Sequence, residues 1–401
     1  MRPRLLVLTS TYPRWTGDHE PGFVHELARR LTDRFDVTVL GPHAMGARPT
    51  EVLDGVQVHR YRYAPASMER LVNDGGIVTN LRRSPWRWLL VPPFLIAQAW
   101  ATLRFIRKLR PDVVHAHWLL PQGLVAACVP GRPPVLVTSH GADLFAIRGR
   151  LYRGLRSFVL ARVAAVSVVS RAMRSRLRDE HPGADAHVMP MGVDFGLFTP
   201  SPGSEPAPAR STATILFVGR LVAKKGVIHL IDAMPQVLQK VPEARLDVIG
   251  FGPEQAALAA RVEHLGLADR VTFLGAVPQA ALPAHYRAAA VFAAPFVEAA
   301  DGDQEGLGLV VAEAIACHCP VVVGDVPAVR DVVDDDLSWI VPQNDPAALA
   351  DALVDVLRDA DASAAKATLA RNRLLERLSW QQVAAGYADL LSRLAQDRSG
   401  S

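Results

Sequence analysis

At 401 residues, half of them hydrophobic and 21% charged, the chain is long enough for two or three domains and too apolar for wholesale disorder. Its three cysteines, Cys128, Cys317 and Cys319, are too few and of the wrong parity for a disulfide framework, and no Cys/His array has zinc-finger spacing. A reducing compartment is expected. The net charge of +4 is unevenly divided: residues 1–200 hold 27 Lys+Arg against 15 Asp+Glu, a balance of +12, and residues 201–401 hold 17 against 25, a balance of −8. A basic half joined to an acidic half predicts two surfaces with different partners, against the plainer alternative of arginines scattered over solvent.

The opening Met1–Ser10 carries a short apolar run without a signal-peptide core or cleavage site, and reads as a buried first strand. Strands are predicted at 5–9, 37–40, 113–116, 135–139, 166–169 and 187–189, with helices at 22–31 and 94–109 between them. In the second half strands are predicted at 214–218, 245–249, 271–274, 291–294, 321–323 and 339–341. Helices are predicted there at 226–239, 253–265, 307–316 and 346–357. Such alternation with near-continuous apolar strands predicts parallel sheets covered on both faces. Residues 200–212 are rich in Pro, Ser and Ala and read as a linker. The expectation is an α/β protein of two doubly wound Rossmann-like domains facing a cleft. They span residues 1–198 and 213–378, with 199–212 between them. The best membrane candidate, residues 88–106, is interrupted by Pro92, Pro93, Gln98 and Arg104 and lacks ~20 continuous apolar residues. A cytoplasmic protein, peripheral on the inner face of a membrane, is expected.

Three stretches carry chemistry. In Phe217–Gly226 an apolar strand runs into Gly219, which allows a tight turn. Arg220 offers a bidentate fork, and Lys225 and Gly226 open the next helix. Two cations at a strand end beside a helix start suit a diphosphate, although the P-loop spacing is absent. The alternative is surface charge on a turn. A second glycine turn at Gly250 begins a helix at Pro253 and is weak alone. In Gln304–Ala314, Glu305 precedes a helix and Glu313 lies two turns inside it among Val and Ala. A carboxylate there needs a partner, a pair of ribose hydroxyls or a neighbouring Arg. The amides of Gly306, Leu307 and Gly308 would favour an anion.

These stretches resemble the family-4 glycosyltransferases of GT-B fold. The similar parts are Gly-Arg-Leu-x-x-x-Lys-Gly at 219–226, Glu-x7-Glu at 305–313 and Val-Met-Pro-Met-Gly-Val-Asp-Phe at 188–195. Asp112–Trp118, Ser139–Asp143 and the opening from Ser10 to Val24 also look like family signatures. The resemblance covers nearly the whole chain, and six motifs in order are specific. It implies that Arg220 and Lys225, beside Gly219 and Gly250, hold the donor diphosphate and stabilise the leaving group. Glu313 would bind the ribose, and Glu305 with the 306–308 amides would lie near the transferred sugar. His140 would sit near the reacting carbon, and Gly22 would bring backbone to the donor from the other domain. A last amphipathic helix, 379–398, would return to the first domain. The family's Gly-Gly…Glu loop is changed: after Gly324 comes Asp325, and Asp331 takes the Glu position.

The resemblance implies a retaining hexose transfer from a nucleotide diphosphate sugar to a hydroxyl of a glycan or lipid-linked acceptor, in cell-surface polysaccharide or glycolipid synthesis. No cofactor and no metal are expected. Negative charge growing on the diphosphate must then meet fixed cations and helix amides. The leaving phosphate takes the acceptor proton on the same face; a covalent intermediate on Glu305 ranks second. His115 and His117, two apart on a strand, share a side and invite a metal, but lack a third ligand nearby. Asp301-Gly302-Asp303 and Asp334-Asp335-Asp336 imitate metal motifs and are expected to be solvated. Residues 82–110 mix Arg, Trp and Leu as an interfacial helix does, so an anionic lipid-linked acceptor or membrane surface is expected. No nucleic-acid motif is present. The other readings are a nucleotide-sugar epimerase of similar shape and a non-catalytic sugar-nucleotide-binding scaffold at the membrane. A dehydrogenase is poorly supported, since no Gly-x-Gly-x-x-Gly follows the first strand.

Overall fold

The computed structural model describes residues 2–18, 22–73, 76–200 and 210–397. Most of the expected linker, 201–209, lies outside the described residues. The chain divides into two compact units, Met1–Gly192 with Trp380–Ser401, and Val193–Ser379.

The first unit is built on an eight-stranded sheet. Its strands are β1 (Arg4–Leu8), β2 (Asp36–Pro42), β3 (Thr50–Leu53), β4 (Val56–Tyr61), β5 (Val113–His117), β6 (Val135–Ser139), β7 (Ala165–Val168) and β8 (His187–Val188). They lie in the order β3-β4-β2-β1-β5-β6-β7-β8, and every pair is parallel except β3–β4. Every residue of β5 and β6 is buried, as expected of strands covered on both faces. The β3–β4 hairpin is absent from the sequence prediction. Its Asp54-Gly55 turn has positive φ at both residues (47° and 82°), the type I′ geometry that an Asp-Gly pair favours.

The segment Pro85–Leu109, a 3-10 turn continued by the helix Val91–Leu109, is long and apolar enough to cross a membrane by length and composition. This corrects the sequence reading, because Pro92 and Pro93 sit in the first helical turn, where proline costs nothing. The helix nonetheless packs Phe94, Gln98, Ala101, Thr102 and Ile106 inward, and contacts β1, β2 and β4. Its other face leaves Leu89 76% and Ile96 69% exposed, beside exposed Trp86, Trp88 and Trp100. The last helix, Trp380–Asp397, also belongs to the first unit: Tyr387 donates to the Met189 carbonyl (2.9 Å) and the Arg30 guanidinium lies over Trp380.

The first unit ends at Gly192 rather than 198. Val193 bridges to Ser379, and Phe198 meets Tyr286 edge-on. The second unit has a six-stranded parallel sheet: β9 (Thr214–Val218), β10 (Arg245–Ile249), β11 (Val271–Gly275), β12 (Val291–Ala294), β13 (Val321–Gly324) and β14 (Trp339–Val341). Its order, β11-β10-β9-β12-β13-β14, reverses direction beside β9, which makes the carboxyl end of β9 a topological switch point. Helix starts fall later than predicted, at Gln255 rather than Pro253 and at Leu309 rather than Leu307.

Candidate active site

At the switch point β9 runs out at Val218 into Gly219 and Arg220, then a 3-10 turn, Ala223–Lys225, and the helix Val227–Lys240. Gly226 caps that helix at φ 66°, and a Cβ there would stand 1.8 Å from the Pro295 carbonyl oxygen. Gly219 donates to the Ile249 carbonyl (3.0 Å), and Gly250 lies so close that a Cβ on it would be 1.9 Å from the Gly219 oxygen. The turns at Gly219 and Gly250 are thus one packed feature.

The third stretch joins them through side chains. Lys225 Nζ pairs with Glu305 Oε2 at 2.7 Å, both side chains largely buried. Its ammonium also lies 4.6 Å from the centre of the Phe296 ring. That ring is 3.2 Å from where a Cβ on Gly308 would stand, so Lys225 and Gly308 meet at Phe296, while a Cβ on Gly219 would stand 3.7 Å from the Lys225 side chain. Burial raises the Glu305 carboxyl, but Lys225, helped by Lys224 and Arg220, holds it down at about 2. Burial pulls the Lys225 ammonium below its ordinary value, and Glu305 opposes this. The pair is therefore ionised at neutral pH.

Lys224, which sequence reasoning passed over, donates to Asp303 (3.0 Å) and to the Gln304 carbonyl (3.1 Å). It ties the loop that carries Glu305 to the turn that carries Lys225. Asp303 is therefore engaged rather than solvated. Asp335 and Asp336 stay exposed to solvent, as expected, and with Asp334 they make surface ion pairs, Asp334 and Asp336 to Arg373 and Asp335 to Arg330.

Gly308, in left-handed conformation, caps the helix Leu309–Ala316. Among the described residues the N–H groups of Gly306, Leu307 and Gly308 engage no hydrogen-bond acceptor. Glu313 takes its hydrogen bond from the Tyr286 hydroxyl (3.2 Å) rather than from an Arg. Burial pushes its carboxyl up to about 7, against the lowering effect of Tyr286 and Gln279. In the altered loop, Gly324 persists because a Cβ would stand 2.1 Å from the Phe296 oxygen. Asp331 ends the 3-10 turn Pro327–Asp331, and its carbonyl accepts from Arg377.

The other two predicted residues lie in the first unit. His140 follows β6, and its ring is flanked by Phe23 (4.9 Å between centroids) and Trp118 (5.0 Å). Burial pushes it down to about 3, so it is a neutral imidazole. Gly22 precedes the helix Phe23–Leu31 with φ −84°, a conformation open to any residue. Among the described residues no group of three or more His, Cys, Asp or Glu is placed to hold a metal ion.

A solved sucrose-phosphate synthase from Thermosynechococcus elongatus superposes with a TM-score of 0.79 at 22% identity, covering 98% of this chain and 99% of that one. With two Rossmann-like sheets of dominantly parallel strands, this likeness defines the fold as that of the GT-B glycosyltransferases. A family model described as Glycosyltransferase Family 4 matches residues 23–197, and one described as Glycosyl transferases group 1 matches 212–359. A GDP-mannose-dependent alpha-(1-6)-phosphatidylinositol monomannoside mannosyltransferase of Mycolicibacterium smegmatis is 35% identical over 235 residues, 57% of this chain and 62% of that protein. The chain thus spans less than two thirds of that relative. The protein of the same description from Mycobacterium tuberculosis (strain CDC 1551 / Oshkosh) is 32% identical over 285 residues, 68% of this chain and 73% of the relative. The chain belongs to the family-4 glycosyltransferases.

Proposed function

We propose that the chain transfers mannose, with retention, from GDP-mannose to a hydroxyl of a phosphatidylinositol-type glycolipid. The observation that carries this reading is the ionised Lys225–Glu305 pair beside Arg220, at the switch point of a parallel sheet. The activities of the mycobacterial relatives supply the donor and acceptor class.

In this reading Arg220 and Lys225 grip the diphosphate, and the amides of Gly306–Gly308 meet charge beside the sugar. Glu305 orients Lys225. Because Lys225 stabilises its carboxylate, Glu305 is a weak nucleophile, which favours same-face transfer of the acceptor proton to the leaving phosphate over a covalent intermediate. Fixed cations do the work of a divalent ion, so no metal is needed. Proton NMR of the first-formed product decides the stereochemistry: an inverted anomer ends the retaining mechanism. A thermal-shift comparison of GDP-mannose with UDP- and ADP-sugars tests the donor. GDP-mannose is expected to raise the melting temperature most, by mass action. A larger shift with another base overturns the assignment.

Glu313 is assigned to the ribose hydroxyls, which a carboxylate accepts better than a carboxylic acid does. Folding holds this group protonated up to about 7, while an unfolded Glu ionises near 4.5. Without donor, stability therefore falls as pH rises from about 4.5 to 7 and then levels. Donor binding runs the other way. Affinity for the nucleotide sugar, whose diphosphate does not titrate in this range, should rise about tenfold from pH 6 to pH 8. Calorimetry should find that slope in the native protein and none in Glu313→Gln. A flat native profile removes Glu313 from this role.

Acceptor and location go together. The exposed Trp86, Trp88, Leu89, Ile96 and Trp100 adjoin exposed Arg82, Arg83, Arg104, Arg107 and Lys108, an apolar face with a basic border. Such a surface suits the headgroup region of an anionic bilayer on the cytoplasmic side. The protein should float with anionic liposomes at low salt and less so at high salt. Equal recovery on neutral liposomes counts against it.

A further inference from the structure

His115 and His117 have no role in the donor site. They lie on one side of β5 with ring centroids 4.2 Å apart, and both are buried. His115 Nε2 meets Thr138 Oγ1 at 2.7 Å, and Thr138 in turn meets Ser167 Oγ at 2.6 Å. His117 turns to another partner: its Nδ1 lies 2.9 Å from Nε2 of His140, with the two rings nearly parallel (16°). The sheet register brings them together, because His117 pairs with Thr138 across β5–β6 and His140 stands just past the end of β6.

We propose that His117 is a positioning residue for His140, donating from Nδ1 to His140 Nε2 and so holding the His140 proton on Nδ1. The inference rests on the reading that His140 serves the transfer. Two neutral imidazoles at this distance must divide the roles of donor and acceptor. His117 is 1% exposed, and among the described residues nothing partners its Nε2. A proton on that nitrogen would be poorly hydrated, whereas His140 is only part-buried and an N–H on its Nδ1 can be solvated. The proton therefore sits on Nδ1 and points to His140. His140 Nε2 is then an acceptor already in use, and its Nδ1–H is the group left to donate. Phe23 and Trp118 confine the ring on its other sides. Tautomer and angle are both fixed before substrate arrives.

Long-range proton–nitrogen correlation spectra of the full chain, labelled at histidine, read the tautomer directly. His140 is expected to show a protonated Nδ1 and a bare Nε2 near neutral pH. In His117→Leu the two tautomers should mix. The kcat should fall about tenfold or more while the donor KM stays put, since a misassigned tautomer spoils turnover rather than binding. His117→Asn, whose amide reaches the place of Nδ1, should restore the single tautomer and most of the lost turnover. A His140 spectrum unchanged in His117→Leu, or a native spectrum with the proton on Nε2, overturns the proposal. His140→Ala checks the underlying reading separately: native turnover there removes His140 from the reaction, while the spectra still decide what His117 does to it.

Discussion

Lys225→Met is expected to cost the protein both its donor and several kcal/mol of stability. The two losses have different origins and can be separated. The ammonium sits at a strand end beside Arg220, where charge on a departing diphosphate must be met. Removing one fixed donor of that kind typically lowers turnover by about 10²–10³-fold. The stability loss comes from the partner left behind. With the Lys225 and Glu305 side chains only 11% and 17% exposed, the variant strands a carboxylate that water reaches poorly. Breaking a buried pair from one side costs about 3–5 kcal/mol. The carboxyl's low value, about 2, gives the sign with pH. The pair's contribution is complete above the unfolded Glu value near 4.5 and is lost as pH falls through about 2. Lys225→Met/Glu305→Gln removes the stranded charge and should recover most of the stability in urea melts without recovering turnover. A single variant as stable as the native chain would show that the ion pair is not coupled to folding. Turnover regained in the double variant would remove the lysine from the chemistry.

That pair also marks where sequence reading stops. The strands β6, β9, β10, β12 and β14 were legible to the residue, because an apolar run bounded by turn residues has one way to be buried on both faces. Arg220 and Lys225 were legible because a strand end, a glycine and a helix start are local. Glu305 and Glu313 could be named as acids of the site, but not their partners. Lys225 and Glu305 meet only because Phe296 and the Lys224–Asp303 tie fold one loop over the other. Tyr286, which satisfies Glu313, comes from the separate helix Leu282–Ala288, and no spacing announces it. His115 and His117 could be placed on one side of a strand, yet their division of labour depends on the β5–β6 register. The hairpin of β3 and β4 is a different failure: its Asp54-Gly55 signal was present and was not used.

The largest purely structural effect should come from a single methyl group. Gly226→Ala meets two penalties. At φ 66° any side chain pays for the left-handed conformation, about 1 kcal/mol. Its Cβ would also stand 1.8 Å from the Pro295 oxygen and 3.0 Å from the Pro295 carbon. The obstacle is backbone, and it cannot swing aside: Val297 donates to the Lys224 carbonyl at 3.0 Å, locking the two segments together. Gly266 provides the control, since it has nearly the same φ, 68°, in the same unit, with nothing within 4 Å of a Cβ. Gly266→Ala should therefore cost about 1 kcal/mol and leave donor binding alone. Gly226→Ala should cost about 3 kcal/mol or more, the excess measuring the overlap. Urea midpoints at a common slope read the difference. Where the Gly226 variant still folds, the turn must move to admit the methyl, taking the Lys225 ammonium from its place over Phe296. A displacement of about 1 Å at such a group can lower turnover by about 10²-fold. Equal midpoints for the two variants would mean that Pro295 yields, and the close packing of these segments would then not be what places the cation.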